Sequence, residues 1–391
     1  MTTTATSSPK GNDERLADIS LFRRLLLRPE IGALFGALLV YSIFSLAAPD
    51  IYPTLIGWAR IMDPTATLAI MSVAVALLMI GGEFDLSAGV MTGSTGLIFS
   101  YLITSDCLNV AWLGLGAGQE CFTFGLDVWS AMLISLAFAL FVGFINGLLV
   151  VRTALPSFIV TLGSFFILRG VNVGITRLLT DAVRITNIDE APGYAAARFL
   201  LNAEFKFLDV SFRTSLFWMV LITILATWML QRTRVGSWIF AIGGDYNAAR
   251  SVGVPAARVK IGLFMMTASA GWLVGIMTAL RLRSTLASQG VGQEFFFIIA
   301  AVIGGCLLTG GDGSAIGAAI GALVFGMTRT GITFAGWETD WLFAFLGIML
   351  LAAVFANNFV RVQARNMRMA QTRDRDDEVE RLPSNAAGGT A

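Results

Sequence analysis

The residues best suited to recognition form a short polar segment, residues 242–255, between two apolar blocks of membrane length. It reads Ile-Gly-Gly-Asp-Tyr-Asn-Ala-Ala-Arg-Ser-Val-Gly-Val-Pro. Asp245 can accept the free N–H groups at a helix start, Gly253 can adopt the left-handed conformation that ends a helix, and Pro255 prevents continuation. The segment therefore predicts a two-turn helix standing alone in water. Because so short a helix is marginal unless it docks onto something, we expect it to be presented to a partner.

Two glycine-rich stretches, residues 80–89 and 303–314, carry further polar side chains. Each contains Ile-Gly-Gly followed within nine residues by an acid and a serine, a short match that hints at the internal duplication common in transporters. Glycine-dense backbone at membrane depth is tolerated only inside protein or beside a water-filled cavity. A hinge or pathway-lining role and a simple cytoplasmic turn both remain open for Gly82, Glu83, Asp85, Ser87, Gly304, Gly305, Gly310, Gly311 and Asp312. No Lys-Ser or Lys-Thr pair follows the glycines, so the second stretch does not match a phosphate-binding loop.

Composition defines the broad class of protein. Apolar residues make up 56% of the 391 positions, charged residues only 14%, and the mean hydropathy is +0.74, whereas soluble domains carry about 25% charged residues. A net charge of +1 gives no reason to expect a nucleic acid partner. Histidine is absent, and three cysteines alone cannot complete a tetrahedral zinc site. Since no zinc-protease motif or nucleophile elbow is present either, we expect a membrane protein that is neither a metalloprotein nor an enzyme.

Ten apolar blocks are long enough to cross a bilayer, which takes about 20 helical residues. They lie near residues 31–49, 64–81, 87–105, 128–151, 155–176, 214–231, 258–280, 291–309, 313–331 and 339–358. The sequence thus predicts an all-α polytopic membrane protein whose transmembrane domain covers residues 31–358. The third, eighth and ninth blocks are rich in glycine and polar residues and are expected to be broken or re-entrant. Glycines four residues apart, as at Gly143 and Gly147, predict close helix contacts in a compact bundle.

Basic residues predict the orientation of the spans, because they are enriched in cytoplasmic segments. Ten crossings put both termini on one side, and 17 of the 27 Lys and Arg residues fall there, including those of the loop 232–260. Both termini are therefore expected in the cytoplasm. The first tail, residues 1–30, alternates apolar residues with arginines, as an interfacial helix or a merely basic tail would. The second tail, residues 359–391, is expected to be disordered.

Cys107 and Cys121 share a loop, residues 105–127, that has no Lys or Arg and is assigned to the outer side. In an oxidising compartment they can form a disulfide, which would stabilise the fold by about 3 kcal/mol for a loop of this length. Two free thiols are the alternative. Cys306 lies in an apolar block and is interpreted as a small packing residue.

Four segments, in order along the chain, resemble the permease subunits of ABC importers of the ribose and xylose type. Residues 243–254 are similar to the cytoplasmic coupling segment of these permeases, with Asn247 in place of its usual acid. Residues 82–89 resemble the family signature Gly-Ile-Asp-Leu-Ser-Val-Gly. The remaining matches are to the fifth span, at residues 155–163 and 168–170, and to a late glycine loop, at residues 300–314. Together the matches extend over about residues 64–355.

The resemblance implies a transport subunit of the bacterial inner membrane that works in the lipid bilayer as a homodimer or beside a related permease. It would receive a sugar or polyol from a periplasmic solute-binding protein. Cytoplasmic ABC ATPase subunits would bind ATP and Mg²⁺, so this chain itself would bind no cofactor. Their contacts on this chain would be Gly244, Asp245, Asn247, Ala248, Ala249, Arg250, Ser251 and Gly253. ATP-driven movement of this segment would tip the bundle between outward and inward states.

Some side chains are candidates for lining the translocation pathway, with ordinary packing as the alternative interpretation. They are Asn146, Ser157, Phe158, Thr161, Phe165, Arg169, Asn172 and Thr176. The chain departs from the family pattern after Glu294, where an expected aspartate is missing and three phenylalanines follow; this departure bears on which sugar is carried. The rival hypothesis is an ion-coupled secondary transporter of a small neutral solute. Such a protein needs an ionisable site at mid-membrane, for which Glu83, Asp85 and Glu294 are the candidates.

Overall fold

The computed structural model describes residues 29–104, 108–109, 121–122 and 126–355, which fold mainly into α-helices. In chain order the helices are α1 (Pro29–Ala47), α2 (Leu55–Ile80), α3 (Ala88–Thr104), α4 (Val128–Thr153), α5 (Ser157–Thr180), α6 (Tyr194–Asn202), α7 (Ser215–Arg232), α8 (Arg234–Gly244), α9 (Tyr246–Ser251), α10 (Ala256–Leu282), α11 (Gln293–Ile303), α12 (Ala315–Phe334) and α13 (Trp341–Phe355). Short strands form antiparallel pairs, namely β1 (Leu108–Asn109) with β2 (Cys121–Phe122), β3 (Arg184–Ile185) with β6 (Thr285–Leu286), and β4 (Glu204–Phe207) with β5 (Val210–Arg213).

Each predicted apolar block contains a helix. α1, α2, α4, α5, α7, α10 and α12 are long and apolar enough to cross a membrane, whereas α3, α11 and α13 are shorter apolar helices. This confirms an all-α polytopic membrane protein. The number of crossings and the side on which the termini lie stay predictions.

α2 begins at Leu55 rather than near residue 64. Thr54 caps this helix start by accepting a hydrogen bond from the N–H of Gly57 at 3.1 Å, and the helix continues through Pro64. Because proline has no N–H, it leaves the carbonyl of Arg60 without its usual helical partner. The hydroxyl of Thr330 on α12 donates to that carbonyl at 3.5 Å. Hydropathy misplaced the start because polar residues and this proline interrupt the apolar block.

α2, α10 and α12 form the buried centre of the bundle, whereas α1, α5 and α7 expose most of their surface. Glycines let the helices approach closely. A methyl group added at Gly147 of α4 would lie 2.7 Å from Cα of Ile261 on α10, and one at Gly275 of α10 would lie 2.3 Å from the carbonyl oxygen of Thr92 on α3. The close contacts predicted from glycine spacing are therefore confirmed at these positions. They suit a bundle in lipid, where apolar burial gives little drive for helix association.

The eighth block is broken, as predicted, because α11 covers only Gln293–Ile303 of residues 291–309. The third block has no such break, since α3 runs without interruption from Ala88 to Thr104. The segment between α10 and α11 runs along α3: Thr285 Oγ1 lies 2.7 Å from Ser100 Oγ, and a methyl group added at Gly290 would lie 2.0 Å from the carbonyl oxygen of Gly89. The ninth block is also unbroken, since α12 is a continuous helix of 20 residues. Its glycines pack against α2 and α11 instead of breaking the helix, so the break predicted there was wrong.

The loop 232–260 contains two helices rather than the predicted solitary one. α8 includes Ile242, Gly243 and Gly244, and Asp245 is the single residue between α8 and α9. These helices and the start of α10 share an apolar cluster built on Ile242, Ala249 and Ala256. α9 is thus shorter than the predicted two-turn helix, and it depends on this packing because a helix of six residues is not stable alone.

Residues 1–28, Cys107 and residues 356–391 lie outside the described part of the chain, so the interfacial helix and the disordered tail stay predictions. Cys121 belongs to β2, but its side chain is not among the described atoms, and the disulfide also stays a prediction. Cys306 is buried, as expected for a packing residue.

Candidate coupling site and arginine cavity

α9 begins with a complete N-cap. Asp245 Oδ1 accepts hydrogen bonds from the N–H groups of Asn247 and Ala248, each at 2.9 Å. After the helix, Gly253 has a φ of +87°, which glycine adopts at little cost, and Pro255 follows. The start and stop signals read from the sequence are confirmed at these residues.

α9 presents an exposed surface at one end of the bundle. Every residue predicted to contact an ATPase subunit is exposed except Ala249, which packs beneath the helix against Ile242 and Ala256. Gly244 is the last residue of α8 rather than part of α9. The exposed set therefore spans the end of α8, the N-cap, the outer face of α9 and its terminating glycine.

Lys260, on α10, links α9 to the loop between α2 and α3. Its ammonium group lies 4.3 Å from the centroid of the Tyr246 ring, a cation–π arrangement. The same group forms an ion pair and a hydrogen bond with Glu83. The side chains of Lys260 and Glu83 are only 15% and 9% exposed, so each charge depends on the other for compensation. Nothing in the sequence indicates this role of Lys260, because Glu83 is 177 positions away.

Glycines from three segments meet beside α9. The N–H of Gly311 donates to the carbonyl of Ile80 at 2.9 Å. A methyl group added at Gly243 would lie 1.8 Å from that carbonyl oxygen, and one at Gly310 would lie 2.7 Å from Cα of Gly82. The two glycine-rich stretches therefore contact each other and the end of α8. We call this contact, formed by Ile80, Gly82, Gly243, Gly310 and Gly311, the glycine junction.

The other residues predicted in the second glycine stretch shape the turn between α11 and α12. A methyl group added at Gly304 would lie 2.3 Å from the carbonyl carbon of Gly317 on α12. Gly305 has a φ of +93°, a left-handed conformation. Asp312 is exposed, and its carbonyl accepts a hydrogen bond from the N–H of Leu307 at 3.2 Å. Their arrangement forms a compact turn that carries Gly310 and Gly311 to the glycine junction.

A buried polar network holds the loop between α2 and α3. Asp85 Oδ1 accepts hydrogen bonds from the N–H and the hydroxyl of Ser87, at 2.8 and 2.6 Å. Asn146 on α4 donates to Ser87 Oγ at 3.1 Å and accepts from Ser164 on α5 at 2.5 Å. The network thus joins this loop to two helices.

Two side chains at the start of α5 bind the backbone of the same loop. Ser157 Oγ accepts from the N–H of Phe84 at 2.9 Å, and Thr161 Oγ1 accepts from the N–H of Leu86 at 3.1 Å. Asn146, Ser157 and Thr161 were predicted as pathway residues. Their contacts fasten the loop, and a role in lining the pathway stays a prediction.

The remaining predicted pathway residues are spread along α5. Phe158 and Arg169 are exposed, whereas Phe165 is buried. Asn172 and Thr176 line a cavity of about 220 Å³ formed with residues of α3 and α4. The candidates therefore do not converge on a single cavity within the described part of one chain.

A larger cavity, of about 500 Å³, lies at the end of α10 opposite α9. We call it the arginine cavity, and its lining includes Arg60, Asp63, Thr278, Arg281, Gln293, Phe296, Phe297, Phe325 and Arg329. The ring centroids of Phe296 and Phe325 are 5.0 Å apart. The cavity could not be predicted from the sequence, because four different helices supply its polar lining. One sequence feature pointed toward it, the run of three phenylalanines after Glu294, which supplies Phe296 and Phe297 to the lining.

The acidic candidates for an ion-coupling site lie inside the protein. Glu83, Asp85 and Glu294 are each less than a tenth exposed. Glu83 is paired with Lys260, and both carboxylate oxygens of Glu294 lie 3.1 Å from the N–H of Gly292. Across the described ranges, no group of three or more Cys, Asp or Glu side chains is placed to hold a metal ion.

Comparison with known proteins places the chain in a family. Residues 58–354 match the family described as "Branched-chain amino acid transport system / permease component", so the chain belongs to this permease family. The ribose import permease protein RbsC of Escherichia coli K12 is 27% identical over 332 residues, covering 84% of this chain and 94% of that protein. The fructose import permease protein FrcC of Rhizobium meliloti is 28% identical over 306 residues, which is 77% of each chain. No solved structure matches the chain.

A third similar protein extends the range of named solutes. The galactose/methyl galactoside import permease protein MglC of Escherichia coli K12 is 27% identical over 328 residues, covering 83% of this chain and 92% of that protein. These matches confirm the resemblance drawn from the four sequence segments. The chain is a multi-pass transmembrane permease subunit of an ABC importer.

Proposed function

We propose that this permease carries a sugar or polyol from the periplasm to the cytoplasm across the bacterial inner membrane. The similar proteins named for ribose, fructose and galactose import support this solute class. Two copies of the chain, or one copy and a related permease, form the pathway, and a periplasmic solute-binding protein delivers the solute. Separate cytoplasmic ATPase subunits bind ATP and Mg²⁺ and supply the energy.

The exposed face of α9 is the observation that carries this proposal. This helix of six residues is stable at the protein surface because Asp245 caps its start and Ala249 packs in the apolar cluster with α8 and α10. Such a helix offers a rigid surface to a partner. Force applied to that surface moves α10 as well, since α8, α9 and the start of α10 share the cluster.

The rival hypothesis of an ion-coupled transporter is less well supported. The similar proteins are import permeases of the ABC class, and Glu83 already has a basic partner in Lys260. Uptake that persists without ATPase subunits and collapses with an uncoupler would favour the rival. Uptake that requires both ATPase subunits and ATP would favour the importer.

Two regions are candidates for the solute pathway. The first is the set of predicted residues on α4 and α5, of which Phe158 and Arg169 are exposed and available to a second copy. The second is the arginine cavity, whose lining of aromatic and polar side chains suits a hydroxylated ring. Sugar sites combine such apolar surfaces with a few placed polar groups.

Replacement of Ala248 by glutamate tests the docking role of α9. Ala248 is exposed, so the variant should fold and insert normally. Binding of the ATPase subunits should weaken about tenfold or more, as for a central residue of an interface. Thr153→Glu is the matched control, because Thr153 is exposed at the end of α4 near the same end of the bundle but outside α9.

The measurement is co-purification of the cognate ATPase subunits from membranes, together with ATP-driven uptake in proteoliposomes supplied with the binding protein. Wild-type co-purification of the Ala248→Glu variant would overturn the docking assignment. Titrating the binding protein with ribose, fructose, galactose and polyols then identifies the solute.

A further inference from the structure

Lys260 occupies a position that no other described basic residue shares. It lies on α10, directly after the α9 segment, and its ammonium group contacts both the Tyr246 ring of α9 and the Glu83 carboxylate. Each contact joins α10 to a different element. Lys260 is therefore a three-way link between α9, α10 and the loop between α2 and α3.

Both members of the ion pair are largely removed from solvent, so separating them is unfavourable. A buried charge that loses its partner is left uncompensated in a medium that solvates it poorly. When α9 and α10 are displaced together, the Glu83 carboxylate therefore follows the Lys260 ammonium group. Displacement at the docking surface is in this way passed to the backbone around Glu83.

The loop that receives this displacement is attached to α4 and α5 on its other side. Phe84, the residue after Glu83, donates its N–H to Ser157 of α5. Ser87 further along accepts from Asn146 of α4. Movement of Glu83 thus acts on the two helices that carry the predicted pathway residues.

The glycine junction permits such a movement. Gly82 and Gly310 approach each other, and Gly243 approaches Ile80, through backbone atoms alone. Glycine has no side chain to interlock with a neighbour, so these surfaces can shift without displacing side chains. Beside this junction, the Lys260–Glu83 pair provides the directed contact that makes the loop follow α9.

We propose that Lys260 is a positioning residue that transmits displacement of α9 to the loop between α2 and α3, and so couples ATP hydrolysis to movement of α4 and α5. The inference rests on the proposed function, because it requires an ATPase subunit docked on α9. It goes further by naming the side chains through which the docked helix acts: Tyr246, Lys260 and Glu83.

The test is Lys260→Met in the complete complex with ATPase subunits and binding protein, reconstituted in proteoliposomes. The readout is the amount of solute taken up per ATP hydrolysed, with whichever of ribose, fructose or galactose the wild-type complex transports. We expect this ratio to fall about tenfold, a typical coupling effect, while the ATPase subunits still co-purify. Lys260→Arg keeps both the charge and the ring contact and should stay close to wild type.

Tyr246 provides a second, independent pair of variants. Tyr246→Phe retains the ring that faces the ammonium group and should keep the wild-type ratio, whereas Tyr246→Leu removes the ring and should lower it. This pair also decides the question if Lys260→Met fails to insert into the membrane.

The outcomes separate this inference from the proposed function. If the ATPase subunits do not bind the wild-type chain through α9, the proposed function itself is wrong. If they bind, and Lys260→Met or Tyr246→Leu leaves the uptake per ATP unchanged, then the role assigned to Lys260 alone is wrong.

Discussion

Arg281 and Asp63 form an ion pair at the end of α10 opposite α9, with Arg281 Nη2 2.6 Å from Asp63 Oδ2. Arg213 lies at the end of the β4–β5 hairpin, and its Nε is 3.0 Å from Asp63 Oδ1. This second contact is an ion pair without hydrogen-bond geometry. α10 therefore has an ionic contact at each end, with Asp63 of α2 at one and with Glu83, just after α2, at the other. Because α10 is one continuous helix, it connects the two contacts directly.

Replacement of Asp63 by asparagine should lower the free energy of unfolding by about 1 kcal/mol, because partly exposed ion pairs are screened by solvent. The Asp63 side chain is 24% exposed, so the loss should be greater in about 0.05 M than in about 1 M salt. Thermal unfolding of the detergent-solubilised protein measures it. Asp189→Asn is the control, since its pair with Arg283 is longer, at 3.4 Å, and more exposed. An equal loss for both variants would contradict a special role for Asp63.

Alanine substitution should have opposite effects on thermal stability at two helical glycines, Gly243 in the glycine junction and Gly262 on α10. Gly243→Ala places a methyl group 1.8 Å from the carbonyl oxygen of Ile80, so the backbone must move, at a cost of about 1–3 kcal/mol. Gly262→Ala on α10 is the control, because no heavy atom lies within 4 Å of the added methyl group. Alanine should stabilise that helix by up to about 1 kcal/mol. Thermal midpoints of the two variants check this, and equal midpoints would contradict the close contact.

Local signals were sufficient to predict the helices of the apolar blocks and α9, but not α6 or α8. Apolar blocks of membrane length all contain helices, and the Asp245 cap and the Gly253 stop are found where their residue types indicate. Each of these features depends on residues within a few positions of one another. The exception is the start of α2, which was predicted near residue 64 but lies at Leu55. The helix continues through Pro64, and the freed carbonyl of Arg60 accepts a hydrogen bond from Thr330.

The arrangement of the site was beyond sequence reasoning. Hydropathy does not specify which faces of lipid-embedded helices meet, since lipid-facing and buried surfaces are both apolar. The contact between Lys260 and Glu83, and the cavity that gathers Arg60, Arg281 and Arg329, both depend on that choice. Glycines were equally ambiguous, because a glycine-rich block is typical of a break and glycines four residues apart are typical of a close contact, and in α3 and α12 the close contact is found.

Thr161 allows the structural and pathway interpretations of one residue to be separated. Thr161→Val keeps the shape of the side chain but removes the oxygen that accepts from the N–H of Leu86. Leaving that buried N–H without a partner should cost about 1–3 kcal/mol of stability. Thr153→Val, at an exposed position, should change stability by less than about 0.5 kcal/mol. Thermal unfolding and uptake are measured together. Reduced uptake with full stability would favour the pathway interpretation.

Phe295 and Phe296 are neighbours on α11 that face different surroundings. Phe296 lines the arginine cavity, whereas Phe295 is 57% exposed. If the solute passes through this cavity, Phe296→Ala should lower the maximal uptake rate about tenfold, because it removes an aromatic surface available to a sugar ring. Phe295→Ala removes the same group from outside the cavity and should have little effect.

Uptake is measured at saturating binding protein and ATP, so that the rate reflects passage through the permease. Thr176→Val on α5, in the smaller cavity, is measured in parallel. An unchanged rate for Phe296→Ala together with a reduced rate for Thr176→Val would assign the pathway to the α5 side. The reverse result would assign it to the arginine cavity, and would give the aromatic run after Glu294, where the chain departs from the family pattern, a direct part in solute passage.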